Sequence, residues 1–181
     1  MSQFAFLGAV ELGLVFAFVA MGVYLAFRIL DFPDLTVDGS FPLGAAVAAV
    51  LILAGWNPWA ATGVAMLAGA VAGLVTAALN VQFRILNLLA SILTMIALFS
   101  INLRVMGRPN IALINQDTML TPFYGLGLPD FYVRPLFIFV LVVVVLIALW
   151  RFLESDIGLA MRATGANPRM ARAQGVKTNR L

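Results

Sequence analysis

The sequence predicts an all-α, polytopic transmembrane helical bundle. Three observations carry this. Hydrophobic residues make up 63% of the 181 positions and charged residues only 10%, against about 45–50% and about 25% in soluble domains. The mean hydropathy is +1.04. Several apolar runs approach or exceed the roughly 20 residues needed to cross a hydrocarbon core. A water-soluble fold of this size cannot cover that much apolar surface, so lipid is the expected solvent.

About five spans are read along the chain, over residues 4–27, 41–56, 59–81, 85–106 and 135–153, all within a membrane region 1–153. The first holds one ionisable residue, Glu11. The second is short and rich in Gly and Ala, and Asn57-Pro58 turns the chain into the third. The fifth contains Val142–Val145, a run that favours a strand in water. In lipid the backbone must bond to itself, so a run of this length becomes a helix. The third span carries Ala65, Gly69, Gly73 and Ala77 at a spacing of four. Small residues so placed let helix backbones approach closely, and they are expected to form a helix-packing face.

Charge sets the orientation. The segment 154–181 holds Arg162, Arg169, Arg172, Lys177 and Arg180 and is expected on the cytoplasmic side. Counting back places Arg84 and residues 28–40 inside, and Asn57-Pro58 and the segment 107–134 outside. The N-terminus is then also outside; it has no basic n-region and reads as a span, not a cleavable signal. The net charge is +3. The basic excess beside the last apolar helix fits this topology, and no nucleic-acid partner is expected.

Composition also excludes chemistry. There are no Cys and no His, so disulfides, thiolate metal sites and the commonest general base are absent. No metal or cofactor is expected. No Gly-x-x-x-x-Gly-Lys-Ser/Thr or Gly-x-Ser-x-Gly motif occurs. Gly125-Leu-Gly-Leu-Pro-Asp130 lacks the lysine and the strand–helix context of a phosphate loop. The surrounding outer segment reads better as an amphipathic stretch lying on the surface. An aspartyl intramembrane protease needs two facing acids, whereas Asp31, Asp34 and Asp38 lie in one segment. The chain is not expected to be an enzyme.

Those acids and Glu11 are the candidate pathway residues, because an acid at membrane depth needs water or a partner. Pro33 prevents a regular helix through residues 28–41. Two readings stand there: a broken helix facing a substrate path, or a solvated cytoplasmic loop with Asp38 or Ser40 capping the second helix. Glu11 similarly fits either a pathway or an interfacial position.

The basic segment is patterned as a helix–turn–helix. Ser155-Asp156 starts one helix that Gly165 is expected to end; Asn167-Pro168 starts a second that Gly175 stops. A positively charged lipid anchor needs charge but not two caps and two glycine stops.

The residues Gly158-Leu-Ala-Met-Arg-Ala-Thr-Gly165 and Asn167-Pro-Arg-Met-Ala-Arg-Ala-Gln-Gly175-Val176 resemble the cytoplasmic coupling loop of ABC-type importer permeases of the branched-chain amino acid and ribose class. Leu30-Asp-Phe-Pro-Asp-Leu-Thr-Val-Asp-Gly-Ser40 resembles a less characterised branch of that class. The resemblance covers nearly the whole chain. It implies a bacterial inner-membrane, multi-pass permease that couples to a separate ABC ATPase. It also implies a second permease subunit, identical or different, and an extracytoplasmic substrate-binding protein. Gly158, Arg162, Arg169, Ala171, Arg172, Ala173 and Gly175 are then the ATPase-coupling residues, and a small organic solute such as an amino acid is the cargo. Members of the class continue with further spans, so the chain is read as a truncated or partial one. The alternative is a secondary transporter or channel subunit, whose broken helices and intramembrane acids look similar but which has no reason to shape an ATPase dock. A structural membrane anchor is a third possibility.

Overall fold

The computed structural model describes residues 3–114, 116–124 and 130–176. Every regular element among them is helical: α1 Gln3–Tyr24, α2 Val37–Leu53, α3 Pro58–Val81, α4 Asn87–Met106, α5 Asp130–Glu154, α6 Asp156–Ala166 and α7 Pro168–Ala173, with a π turn Leu25–Ile29 and a 3-10 turn Thr121–Phe123. Four helices are long and apolar enough to cross a membrane, and α2 is a shorter apolar helix. The chain is thus an all-α polytopic bundle. It divides into two compact units, residues 34–122 and residues 1–33 with 123–181.

The first unit is built on α2, α3 and α4. Asn57 accepts a hydrogen bond from Trp59 N at 2.9 Å, and Pro58 opens α3 where a missing N–H costs nothing. At the other end of α3, the Asn80 side-chain amide donates to Ile85 O at 2.8 Å and also to Asn87 Oδ1, tying the turn into α4. The core is thin: Leu43, Ala72 and Leu98, with Val47 and Ala68 against them. Small residues, not bulky ones, allow this packing. Gly39 of α2 lies so close to α4 that a Cβ there would sit 3.0 Å from Leu98 Cβ and 3.1 Å from Met95 Cα.

The second helix starts four residues before the predicted Phe41. Asp34 Oδ1 accepts from Thr36 N at 2.8 Å, and that local turn launches α2 at Val37. Asp38 and Ser40 therefore lie inside the helix and cap nothing. Thr36 occupies the cap position, but its hydroxyl is bonded to Thr76 Oγ1 at 2.8 Å instead.

On α3 the buried residues are Ala61, Ala65, Ala72 and Thr76. Of the four small residues spaced by four, only Ala65 belongs to this face. Gly73 and Ala77 are exposed, and Gly69 is half-buried. No atom beyond their own helix lies within 4 Å of a Cβ built at Gly69 or Gly73. The inward face follows the 3.6-residue period through Thr76, whose hydroxyl has a partner across the interface, rather than the strict spacing of four.

In the second unit α1 packs along α5, and α6 packs against α5 and the π turn. The helix α5 starts at Asp130, five residues before the predicted Pro135, which sits inside it. Arg134 Nε donates to the Tyr124 hydroxyl at 2.9 Å, and Phe123 and Phe137 meet ring to ring at 5.1 Å. Past α1, the bonds Leu30 N to Leu25 O (3.1 Å) and Phe32 N to Ala26 O (2.9 Å) wind the last turn wide. Asp31 then turns the chain with φ 51°, a left-handed conformation that Asp tolerates better than most residues.

Two glycines seat α6. A Cβ at Gly158 would overlap the Phe152 carbonyl oxygen and the Leu153 backbone, and one at Gly165 would overlap the Ile29 carbonyl oxygen. They are seven residues apart, on one helix face. Gly165 lies within α6, which runs to Ala166, so it does not end the helix; its lack of a side chain serves the close approach. These contacts set two measurable expectations. Gly165→Val should destabilise the protein by about 1–3 kcal/mol, the cost of overpacking, whereas Gly69→Val should stay within about 0.5 kcal/mol; thermal unfolding in detergent measures both. A double-mutant cycle on Thr36→Val and Thr76→Val should return a coupling of about 0.6 kcal/mol, typical of interhelical bonds in membranes.

Candidate functional site

Two places concentrate polar groups in this apolar chain. The first is the start of α2. Thr36 and Thr76 are 2% and 1% exposed. Thr76 is five residues from the end of α3, so at about 1.5 Å per residue α2 begins roughly 8 Å inside that end. With 17 residues, α2 is about 25 Å long, shorter than a hydrocarbon core of about 30 Å. The chain between α1 and α2 therefore leads into a helix start set within its unit. Asp34 is half-buried there, and Asp38 is exposed in the first turn, where the helix dipole favours a negative charge.

Facing this start, α4 buries Ala90, Ser91, Thr94, Leu98 and Asn102. Ser91 donates to Leu88 O at 2.9 Å and Thr94 to Ala90 O at 3.0 Å, so both satisfy themselves on their own helix. Asn102 is different. Its Nδ2 donates across to Gly39 O at 3.2 Å, and its Oδ1 is buried without a partner among the described residues. An unmet buried acceptor costs about 1–3 kcal/mol. Sequence reasoning passed over Asn102. The signal was present: Ser91, Thr94 and Asn102 recur at helical spacing along a mostly apolar span.

The other candidate pathway residues are placed separately. Asp31 belongs to the unit with α1 and α5, is exposed, and occupies the left-handed turn. Glu11 is half-buried near the middle of α1. Asp34 and Asp38 alone share the α2 start.

The second place is the elbow formed by α6 and α7. Ser155 Oγ accepts from Gly158 N at 3.3 Å, capping α6. Asn167 Oδ1 accepts from Arg169 N and Met170 N, both at 3.1 Å, and Pro168 takes the first helical position of α7. At the far end Gly175 N bonds Arg172 O and Val176 N bonds Ala171 O, each at 3.0 Å. This crossed pair, with Gly175 at φ 87°, is a Schellman stop. The elbow is therefore a built corner and not a charged tail; Lys177 and Arg180 of the basic segment lie outside the described residues, as does the Gly125–Pro129 stretch of the outer segment.

Of the seven residues expected to couple to an ATPase, Gly158 is buried against the end of α5 and Ala171 is 3% exposed. These two hold the elbow together and cannot present a side chain outward. Arg162, Arg169, Arg172, Ala173 and Gly175 are exposed. Exposed Ile157, Leu159 and Met170 add apolar surface to the same two helices. Arg172 is steadied by a bond from Nε to Pro168 O at 3.1 Å.

Comparison with known proteins identifies the family. Residues 6–181 match the family model described as branched-chain amino acid transport system, permease component. A tyrosine transport system permease protein of Clostridioides difficile (strain R20291) is 38% identical over 166 residues, covering 90% of this chain and 52% of that protein. An uncharacterized protein of Rickettsia prowazekii (strain Madrid E) is 36% identical over 159 residues, covering 88% of this chain and 54% of that protein. The chain thus spans about half the length of the curated relatives it matches. No solved structure matches it. On the match across residues 6–181, the chain belongs to the permease family of branched-chain amino acid transport systems.

Proposed function

We propose that the chain is the first part of the membrane permease of an ATP-driven importer in a bacterial inner membrane, and that its cargo is an amino acid. In this reading the α2 start forms part of the pathway. The elbow docks a separate ABC ATPase, a second permease subunit completes the channel, and an extracytoplasmic binding protein delivers the solute. The reading rests most on the elbow. It is capped at both helices and stopped by a Schellman turn, and Gly158 and Gly165 press it onto the ends of the membrane helices. A rigid corner so seated passes a push from its outer face to α5 and to the π turn after α1. Its exposed arginines suit acidic side chains on the ATPase, and small residues such as Ala173 and Gly175 permit close approach. ATP hydrolysis itself belongs to the partner.

An amino acid is the cargo best supported, since one relative is named for tyrosine transport and the family for branched-chain amino acids. The buried start of α2 favours the broken-helix reading of residues 28–40 over a solvated loop. A secondary transporter or channel would use such a break equally well but leaves the elbow without a purpose.

Co-purification of the permease with the ATPase tests the proposal. Arg172→Glu should reduce the retained ATPase about tenfold or more, the scale of losing a charge pair and gaining a repulsion at an interface. Asn110→Asp, at an exposed position in the segment expected on the outer side, should leave it unchanged. Full retention by Arg172→Glu together with Arg169→Glu contradicts docking at this face.

A further inference from the structure

The first turn of α2 is closed on itself. Asp34 Oδ1 accepts from Thr36 N at 2.8 Å, Asp38 N bonds Leu35 O at 3.3 Å, and Gly39 N and Ser40 N bond Thr36 O at 3.0 and 2.8 Å. Just past it stands Pro42, inside the helix. Proline has no N–H, so the rung from residue 42 back to the Asp38 carbonyl is missing, and the ring crowds that carbonyl. The ladder of α2 is thus weakest where the turn joins the rest of the helix. Backbone rotation concentrates at such a place, which serves as a hinge.

Two side-chain bonds hold the turn to its neighbours. On α3, the Thr76 hydroxyl donates to Ala72 O at 3.3 Å. Its one proton is used there, so Thr36 is the donor in the 2.8 Å bond between the two hydroxyls. When the turn leaves, Thr76 keeps its own bond to Ala72. On α4, Asn102 Nδ2 donates to Gly39 O at 3.2 Å, while Oδ1 is buried without a partner among the described residues. An unmet buried acceptor disfavours the arrangement that contains it. The remaining contact with α4 is bare backbone: a Cβ at Gly39 would lie 3.0 Å from Leu98 Cβ and 3.1 Å from Met95 Cα. No side chain interlocks there, so the turn withdraws without unthreading a knob from a hole.

The turn is also a wall. Asp38, Gly39 and Pro42 form the α2 side of a cavity of about 540 Å³, with Met95, Phe99 and Met106 on the α4 side. Asp38 and Phe99 are exposed, so the cavity is open to the surface. We propose that residues 34–41 are a hinged door on this cavity. The door swings about Pro42 between the seated position and one in which the Thr36–Thr76 and Asn102–Gly39 bonds are broken. The rest of α2 stays in place, held through Leu43 and Val47 in the core of its unit. Interhelical hydrogen bonds in membranes are individually weak, so the open position is a minor population that small changes shift. The door goes beyond the importer reading and does not depend on it, since it is a property of the α2–α3–α4 unit alone.

The test is a pair of distances in the permease in lipid nanodiscs, read by double electron–electron resonance between spin labels. The chain has no cysteine, so labels go only where cysteines are introduced. The first pair, Asp38→Cys with Leu67→Cys, spans the door and α3; the second, Leu53→Cys with Leu67→Cys, spans the far end of α2 and α3. All three positions are exposed. The first pair should show a main distance and a minor one, and the second pair a single distance. Thr76→Val and Asn102→Ala should each raise the minor population about threefold, the scale of one interhelical bond. Pro42→Ala, which restores the rung, should lower it at least threefold in the doubly released background and leave the second pair unchanged. A single unshifted distance for the first pair in the Thr76→Val, Asn102→Ala variant overturns the proposal. So does equal movement of both pairs, which makes α2 one rigid rod, and so does indifference to Pro42→Ala. If the Asp38→Cys protein does not fold, Leu35→Cys on the same door takes its place in the first pair, with the same outcomes.

Discussion

In a hydrocarbon solvent every backbone N–H and C=O must find its partner within the chain, and this single constraint shapes the protein. It turns the Val142–Val145 run into helix despite its β-branched side chains. It also governs the breaks. After α1 the ladder widens into π-type bonds before it ends at Asp31, so the freed carbonyls Leu25 O and Ala26 O are still used. At Thr36 the Asp34 carboxylate takes the first N–H of the new helix. The segment between these points has no regular structure, and polar side chains stand at both its edges.

The same constraint explains why so few large side chains are buried. Lipid offers no hydrophobic drive for helix association, so close packing and interhelical hydrogen bonds supply it. The buried side chains of the α2–α3–α4 unit are mainly Ala, Gly, Thr and Ser, with Leu43 and Leu98 as the bulky exceptions. Thr36 with Thr76, and Asn102 with Gly39, are the polar links across those interfaces. In the other unit, glycine again permits backbone contact, here between α6 and the ends of the two helices it sits upon. A mechanical role for the elbow depends on that directness, because flexible side chains between backbones would absorb a displacement.

The fold class was legible in the sequence because it follows from composition and run length alone. So were the turn at Asn57-Pro58 and the caps at Ser155 and Asn167, which are local: an acceptor side chain next to a Pro or an apolar helix is enough. Most of what escaped the sequence was non-local. The start of α2 was set too late, at Phe41, although the Asp34–Thr36 turn that launches it is local; the bond that ties Thr36 to Thr76, forty residues away, is not. Pro135 looked like a helix start, yet α5 begins at Asp130. Gly165 looked like a stop, yet it is a contact surface for Ile29. The Ala65, Gly69, Gly73, Ala77 stripe obeyed a motif, while the helix turned the neighbouring face inward. Asn102 was visible only as one polar residue in an apolar span; its unmet oxygen and its neighbours at the α2 start appear only in three dimensions.

The central claim is that the chain threads the membrane and delivers the α6–α7 elbow to the cytosolic side. The protein has no cysteine, so a single Gln174→Cys substitution, at an exposed position, reports its own side without background. In intact cells a membrane-impermeant maleimide should leave the introduced thiol unlabelled, and labelling should become complete once the membrane is opened. Full labelling of intact cells contradicts the topology and, with it, the docking of a cytosolic motor.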